Sequence, residues 1–458
     1  MSGPRVYLDH AATSPIRPAA REALERALGC ANPASGHLEG RNAQRTLEEA
    51  RERIASLVGA EPDEIVFTSG ATEASNLAIR GFHGARGGRV LIVSTEFEHS
   101  ATRRSCDRAA EDGAKVALLR PGPDGLIAPD SVPEGADCVT VIAGHNELGT
   151  LQDLDALAAA GSPAFVHFDA VQIAAHVDVR GVAWDALSIS SHKLGGPVGI
   201  GCLAIRGGHR LRPLLVGGNQ EGGTRPGTVP VALAAGFAAA AEEAARDRKG
   251  EAARLASLRD RLGRAMLGAI PGSRAIGCWH SHPGRALPQI AAIGIEGASG
   301  DEIVAALDDC GIACASASAC QGDARSPSLD AIGVPESVAL LRLSLGWNTT
   351  EEDVEEAIRR VPRAILRLRS MSPFERRRLP FSRRAAEEGL DLREPHWAAA
   401  EAVFEFWTEH GVLPGPRFLA KRLGARTTLD DLFPAGMATL ARWLGLPVPT
   451  GGCRPPSP

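Results

Sequence analysis

Two residues of this chain, Lys193 and Asp169, have the types and the spacing of a covalent cofactor site. Lys193 closes a Ser-Ser-His-Lys run that follows an apolar stretch over residues 184–189, and Asp169 ends another over residues 165–168. If both stretches are neighbouring strands, a lysine at one end can bind the aldehyde of pyridoxal phosphate and a carboxylate at the other can pair with its ring nitrogen. A lone Lys–Asp pair is more often a surface ion pair, so the interpretation depends on the residues around it.

Other polar positions could complete such a site. The Gly70-Ala71-Thr72 turn follows one predicted strand and offers N–H groups and a hydroxyl to a phosphate, although many such turns look alike. His99 could stack on a flat ring, and an unrelated surface histidine is the alternative. Four further residues could hydrogen-bond the cofactor, namely Asn146 and Gln172 at its phenolic oxygen and Ser190 and His192 at its phosphate. The occurrence of all these residues in one chain favours the cofactor site.

The elements that must position these residues alternate along the chain. Helical or loop segments separate seven short runs that are predicted as strands, namely residues 65–67, 90–93, 116–119, 138–143, 165–168, 187–190 and 202–205. This alternation predicts an α/β fold with a mainly parallel seven-stranded sheet covered on both faces. Helices are predicted over 41–58 and 230–269, from Asp301, and after Thr350, where Pro362 should kink or break the helix.

Composition excludes several classes of protein. The 458 residues are 44% hydrophobic and 23% charged with a net charge of −5, which makes direct nucleic-acid binding by the whole molecule unlikely. No apolar run is long enough for a membrane span, and the N-terminus lacks a signal-peptide pattern, so a cytoplasmic location is expected. The nine cysteines do not form the pattern of a disulfide framework.

These motifs resemble the cysteine desulfurases of the NifS/IscS type, in the class V aminotransferase family of fold-type I pyridoxal-phosphate enzymes. The resemblance covers residues 5–369. The matching stretches are residues 7–13, 32–37, 70–73, 146–149, 190–193, 225–228 and 342–344.

The resemblance implies a role for each matched residue. Lys193 binds the cofactor and moves protons, Asp169 pairs with the ring nitrogen, and His99 stacks on the ring and serves in acid–base catalysis. The phosphate ligands are Gly70, Ala71, Thr72, Ser190 and His192, joined by Thr228 from the second subunit of a homodimer. Asn146 and Gln172 contact the phenolic oxygen, and Arg342, with Asn146, binds the carboxylate of L-cysteine.

The resemblance also implies a division into domains. Residues 16–264 form the large cofactor-binding domain, and residues 1–15 with 265–369 form a smaller α+β domain. Two departures from the family pattern affect one loop: Gly222 stands where a basic residue is usual, and Pro226 stands where serine is usual.

Cys320 is the predicted sulfur nucleophile. It ends a stretch of small residues and serines, 311–320, that resembles the family's Ser-Ala-Cys loop. Its thiolate would attack the substrate sulfur, giving L-alanine and a persulfide. Two alternatives stay open: Cys310, Cys314 and Cys320 could bind a metal, although their spacing fits no common zinc pattern and no metal is expected, or Cys320 could be inert in a selenocysteine lyase or a cysteine/cystine lyase.

The C-terminal part has a different character. Residues 370–384 are rich in arginine and are predicted as a solvated linker, with contact to RNA or an acidic partner as the alternative. Residues 385–458 resemble the C-terminal part of the TusE/DsrC sulfur-relay family, most specifically over 445–453, where a terminal arm carries a sulfur-accepting cysteine, here Cys453. A mostly helical appendage is therefore expected. It would relay sulfur onward to acceptor proteins, or else only dock partners as part of a sulfur-trafficking scaffold.

Overall fold

A computed structural model describes residues 4–316, 326–423 and 428–446. Cys320 and Cys453 lie outside these ranges, so the predictions for both thiols concern residues that the structure does not describe. Among the described residues, no helix combines the length and the apolar character needed to cross a lipid bilayer.

The strands of the described residues form three sheets. In chain order they are β1 (Val6–Tyr7), β2 (Ile65–Thr68), β3 (Leu91–Thr95), β4 (Lys115–Leu119), β5 (Cys138–Ile142), β6 (Phe165–Asp169), β7 (Ala186–Ser190), β8 (Gly201–Ile205), β9 (Arg274–Ala275), β10 (Ile290–Glu296), β11 (Ile312–Ala313) and β12 (Val338–Ser344). The large sheet has the order β2-β8-β7-β6-β5-β3-β4. Its neighbours pair in parallel except at β8, which is antiparallel to both β2 and β7. The predicted seven-stranded, mainly parallel sheet is thus confirmed.

Helices surround these sheets. In chain order they are α1 (Pro18–Ala27), α2 (Leu38–Val58), α3 (Ala71–Asn76), α4 (Phe82–Arg86), α5 (Ser100–Glu111), α6 (Leu154–Gly161), α7 (Val231–Ala269), α8 (Gly300–Asp309), α9 (Pro327–Ala331), α10 (Glu351–Ser370), α11 (Pro373–Glu387), α12 (Glu394–His410), α13 (Pro416–Leu423), α14 (Leu429–Leu432) and α15 (Met437–Leu444). A π-helical turn, Leu77–Gly81, joins α3 directly to α4.

Both faces of the large sheet are apolar, as expected for buried parallel strands. Successive strand residues point to opposite faces, and neighbours on one strand accordingly belong to different clusters of the core. Phe67 and Val93 pack in the cluster that also contains α2 and α7, while Val66 and Ile92 pack with α3 and α5. This two-sided burial holds the strand ends, and the polar residues on them, at fixed positions.

The remaining strands lie in two small sheets. β10 is central in an antiparallel sheet with β12 and β9, and β1 pairs in parallel with β11. Helix α8, predicted from Asp301, begins with a capping box, in which Ser299 and Glu302 each bond the other's backbone N–H. Helix α10 continues through Pro362 without the break that was expected, and its buried face of Val354, Val361 and Ile365 packs on the core.

The interpretation of residues 370–384 as a solvated linker is wrong. These residues lie largely in helix α11, which Ser372 caps and Pro373 begins. Arg383 pairs with Asp308, and Arg384 with Asp301, both at 2.7 Å. These two arginines therefore form intramolecular ion pairs, which hold α11 against the acidic residues of α8. Helices α11–α15, here called the C-terminal helical unit, share a core that includes Phe381, Phe433 and Trp443.

Candidate active site

Lys193 and Asp169 lie at the ends of adjacent parallel strands. Asp169 is the last residue of β6 and is paired with Ser188 on β7. β7 ends at Ser190, and a single 3₁₀ turn then carries the chain to Lys193. The Asp169 side chain is buried, and burial raises its pKa, while nearby His99 and Lys193 and a hydrogen bond from the Val171 N–H act in the opposite direction. A buried carboxylate in this position favours a cationic partner.

The Lys193 ammonium is held by the N-terminal segment. Its Nζ donates hydrogen bonds to the backbone oxygens of Ala11 and Ala12, each at 2.6 Å. Gln172 donates from Nε2 to the same Ala11 oxygen at 2.9 Å. No motif predicted a role for these two carbonyl groups, although both residues lie in the matched stretch 7–13.

Gly70 and Ser190 come together at the predicted phosphate turn. Gly70 caps α3 with a φ of 154°, a conformation that favours glycine. A Cβ atom at Gly70 would lie 4.0 Å from Ser190 Oγ, so the turn and the end of β7 face one another. Thr72 is exposed in the first turn of α3. His192 Nδ1 instead lies 3.0 Å from Thr13 Oγ1, and burial together with the charge of Lys193 lowers its pKa to about 4.

His99 stands at the start of α5, after β3. Its Nδ1 accepts the Ala101 N–H at 3.1 Å, which leaves Nε2 as the ring nitrogen that can donate. His99 is exposed, so its ring is accessible to a cofactor that would stack on it. Its neighbour Glu98 is half-buried, with its carboxyl group on the inner side: Oε2 is shielded from solvent, and Oε1 accepts from Thr95 Oγ1 at 2.8 Å and from Ile142 N at 2.9 Å. Burial raises the pKa of Glu98 to about 8, so this carboxyl group is largely protonated at neutral pH.

A buried histidine, His145, links two loops of the site. Its Nε2 lies 3.0 Å from the Phe97 carbonyl oxygen, and its Nδ1 accepts the N–H groups of Glu147 and Leu148. The ring also stacks on Phe97 with centroids 4.8 Å apart. These contacts fix the backbone around Asn146, on the loop after β5, against the segment that leads to His99. Apart from the position of His145 beside Asn146, no motif pointed to this role.

Arg342, on β12, is held near this loop. Its Nη1 donates to the Asn146 carbonyl oxygen at 3.0 Å, and its Nη2 to Asp9 Oδ1 at 2.8 Å. The Arg342 side chain is buried, and its Nε has no hydrogen-bond partner among the described residues. A guanidinium with an unused N–H donor can bind one more anion, such as a substrate carboxylate.

One predicted ligand lies apart from this group. Thr228 is exposed and lines a cleft of about 1060 Å³ together with Arg51, Glu221 and other residues of α2 and the loop before α7. That cleft contains none of the cofactor residues predicted on β6, β7 or the turn at Gly70. Within one chain, the structure therefore does not bring Thr228 to the site, and its expected role across a homodimer stays a prediction.

The residues present fit pyridoxal phosphate. A buried carboxylate at Asp169 suits a protonated ring nitrogen, and Lys193 lies close enough to influence its charge. Gly70, without a side chain, leaves room beside Ser190 Oγ at a helix start, where a phosphate is favoured. The chemistry of this donor set is that of an amine-binding aldehyde cofactor.

Comparison with known proteins identifies the family. The family model of the class-V aminotransferases matches residues 6–357. An IscS-like cysteine desulfurase of Mycobacterium tuberculosis is 38% identical, over 79% of this chain and 97% of that protein. A solved NifS-like protein aligns with a TM-score of 0.72 and 28% identity, covering 79% of this chain and 99% of that one. A solved structure described as SspA in complex with cysteine aligns with a TM-score of 0.64 and 29% identity, over 74% and 98%.

The chain therefore belongs to the class-V aminotransferase family of pyridoxal-phosphate enzymes. Within that family its relatives are cysteine desulfurases, and it is an enzyme of that group. The matched residues 6–357 end before α11, so the C-terminal helical unit lies beyond the family model.

Proposed function

We propose that this protein converts L-cysteine to L-alanine and retains the sulfur as a persulfide on Cys320. The observation that carries the proposal is the position of Lys193 and Asp169 on adjacent strand ends, in a chain whose relatives are cysteine desulfurases. When bound, pyridoxal phosphate supplies an electron sink for breaking bonds at the substrate. Ser190 and the Gly70–Thr72 turn would hold its phosphate, and Asp169 would keep its ring nitrogen protonated.

The other residues have defined tasks in this proposal. Arg342 binds the substrate carboxylate, with Asn146 beside it. Lys193 moves the proton at the substrate carbon, and His99 serves at the face of the ring as an acid or base. The Cys320 thiolate attacks the substrate sulfur, so that an S–S bond forms as the C–S bond breaks. The carbon keeps the electron pair of the broken bond and takes up a proton, which yields alanine.

The proposal is tested by alanine and sulfide release from L-cysteine in the presence of a thiol reductant. The wild-type enzyme should release both, and Cys320→Ala should retain bound pyridoxal phosphate while releasing no sulfide. Cys30→Ala is the matched control, since Cys30 is an exposed thiol far along the chain from the loop of Cys320. Full sulfide release by Cys320→Ala would contradict the assignment of the nucleophile.

We further propose that the persulfide sulfur passes from Cys320 to Cys453 on a fused TusE/DsrC-like acceptor. The anchoring of the C-terminal helical unit supports this. Arg384 donates from Nη1 to the carbonyl oxygens of Arg442 and Trp443, at 2.7 and 3.0 Å, and its Nη2 bonds Asp301 at 2.7 Å. One side chain thus ties the end of α15 to the start of α8, whose other end leads through β11 toward the loop of Cys320.

Tethering favours transfer between these thiols. Leu446 is buried in the core of the C-terminal helical unit, and the chain from there to Cys453 can extend by at most about 25 Å. A donor and an acceptor joined in this way meet at an effective concentration of roughly millimolar if the tether spans the gap. Transfer is an exchange in which the Cys453 thiolate attacks the outer sulfur of the persulfide and the Cys320 thiolate leaves.

Mass spectrometry after a pulse of L-cysteine tests the relay. The peptide that contains Cys453 should gain one sulfur in the wild type and should lose that gain in Cys320→Ala. An unmodified Cys453 in an enzyme that still releases alanine would exclude the relay and leave the C-terminal helical unit as a docking module.

A further inference from the structure

Glu221, in the loop before α7 (residues 217–228), forms a buried ion pair with α2 and a hydrogen bond with β2 of the large sheet. Glu221 accepts hydrogen bonds from Arg51 at 2.8 and 2.9 Å in a fork geometry, and a third from Phe67 N at 2.8 Å. The Glu221 side chain is 2% exposed. Its φ of 49° is unusual for a residue with a side chain, so the surrounding contacts hold a conformation that the backbone alone disfavours.

A second ion pair ties the same loop to the phosphate turn. Arg225 Nε lies 2.9 Å from Glu73 Oε1, and its Nη2 lies 3.3 Å from Oε2. Both side chains are less than one-fifth exposed, at 19% and 18%. Glu73 Oε2 also accepts the Ser69 N–H at 2.6 Å, next to Gly70. Arg225 is the only basic residue in the sequence of the loop, because Gly222 stands where a basic residue is usual.

The charges of this pair matter because of where Glu73 lies. It is in the first turn of α3, beside the N–H groups of Ala71 and Thr72 that are to bind a phosphate dianion. An uncompensated carboxylate there would repel the phosphate. Burial alone would raise the Glu73 pKa, but the bonds from Arg225 and Ser69 keep it below its ordinary value, so Glu73 is ionised and its charge is balanced by Arg225.

We propose that Glu73 and Arg225 are positioning residues for the cofactor phosphate, acting as a charge-balanced brace. The Glu73 carboxylate holds the turn in place by accepting the Ser69 N–H. The Arg225 guanidinium balances the negative charge of that carboxylate. The proposal rests on the function proposed above, since it concerns the phosphate of the same cofactor. It places the selectivity for a phosphorylated cofactor partly in residues that do not touch the phosphate.

Cofactor titrations with pyridoxal phosphate and with pyridoxal, which lacks the phosphate, test the brace. Arg225→Gln leaves Glu73 as an unbalanced anion and should weaken pyridoxal phosphate binding by about tenfold or more, as expected for like charges in a partly buried site. Pyridoxal binding should change little. Adding Glu73→Gln to Arg225→Gln should restore much of the affinity for pyridoxal phosphate, because the unbalanced charge is then gone.

The matched control is Arg21→Gln, which breaks an exposed ion pair with Glu25 and should leave both affinities unchanged. Thermal unfolding of the cofactor-free variants shows whether any of them is destabilised. Equal weakening of pyridoxal phosphate and pyridoxal by Arg225→Gln, or no recovery in the double variant, would overturn the brace. If the wild-type protein binds neither compound, the proposed function itself fails, which is a different result.

Discussion

Arg342 Nη2 lies 2.8 Å from Asp9 Oδ1, in a pair that joins the N-terminal segment to β12. Arg342 is buried and Asp9 is 23% exposed at its side chain. The guanidinium that is proposed to bind the substrate carboxylate therefore already has a carboxylate partner. Substrate binding at this position must proceed beside an existing negative charge.

Asp9→Asn should consequently tighten substrate binding. The amide oxygen can still accept the bond from Arg342, so the guanidinium keeps its orientation, but the competing charge is removed. We expect the KM for L-cysteine to fall several-fold with little change in kcat, measured by alanine release. Tyr7→Phe is the control, because Tyr7 is in the same segment and its hydroxyl donates to the backbone oxygens of Asp9 and Thr13. An unchanged or higher KM in Asp9→Asn would contradict this relationship.

The fold followed closely from the sequence pattern. All seven predicted strand runs coincide with strands of the large sheet to within a few residues, since most of them are short apolar runs bounded by polar residues or glycine. Helix α2 was predicted from residue 41 and begins at Leu38, because His37 caps it by accepting the Gly40 N–H. Histidine is not a usual cap, so the pattern gave no reason to start the helix earlier.

Two errors have a common cause. The arginines of α11 were interpreted as solvated because a run of like charge normally faces water. Their partners, Asp301 and Asp308, lie on α8, more than sixty positions earlier in the sequence, and only the tertiary fold brings them together. Pro362 was expected to kink or break α10; the helix does not break there, and its buried residues Val354, Val361 and Ile365 pack on distant parts of the core.

Site residues that belong to a sequence motif could be predicted. Site residues that are defined only by tertiary contacts could not. Lys193, Asp169 and the Gly70 turn stand out by residue type at strand ends. The carbonyl groups of Ala11 and Ala12 and the buried carboxyl group of Glu98 have no comparable signal, because backbone acceptors and burial depend on packing between distant segments.

Acid should destabilise the fold through its buried histidines. Burial lowers the pKa of His145 from 6.5 to about 4, so the folded state keeps the ring neutral while the unfolded state binds a proton below pH 6.5. The free energy of unfolding should therefore fall as pH decreases from 6.5 toward 4, with His145 contributing up to about 1.4 kcal/mol per pH unit.

His145→Gln tests this contribution. Glutamine does not titrate and can replace the acceptor and donor of the ring, so the difference in unfolding free energy between wild type and variant should shrink as pH falls, in urea titrations at several pH values. His282→Gln, which changes an exposed histidine, serves as the control. A difference that does not depend on pH would count against a neutral buried His145.

Arg384 should matter for the relay and not for the first reaction. Arg384→Ala removes the bonds to Asp301, Arg442 and Trp443 and should loosen the C-terminal helical unit. We expect faster proteolytic release of that unit and a several-fold slower appearance of sulfur on Cys453, with alanine release unchanged. Arg393→Ala, which breaks an exposed ion pair with Asp391 inside the same unit, is the control. Unaltered labelling of Cys453 would show that this anchor is not needed for transfer.

Borohydride reduction followed by peptide mapping tests the central claim most directly. The purified enzyme, loaded with pyridoxal phosphate, should show an absorption band that reduction abolishes, and the reduced cofactor should be found attached to the peptide that contains Lys193. Asp169→Ala should bind the cofactor more weakly and still carry the label at Lys193. A reduced cofactor on another lysine, or no covalent label on an enzyme that releases alanine from cysteine, would contradict the account.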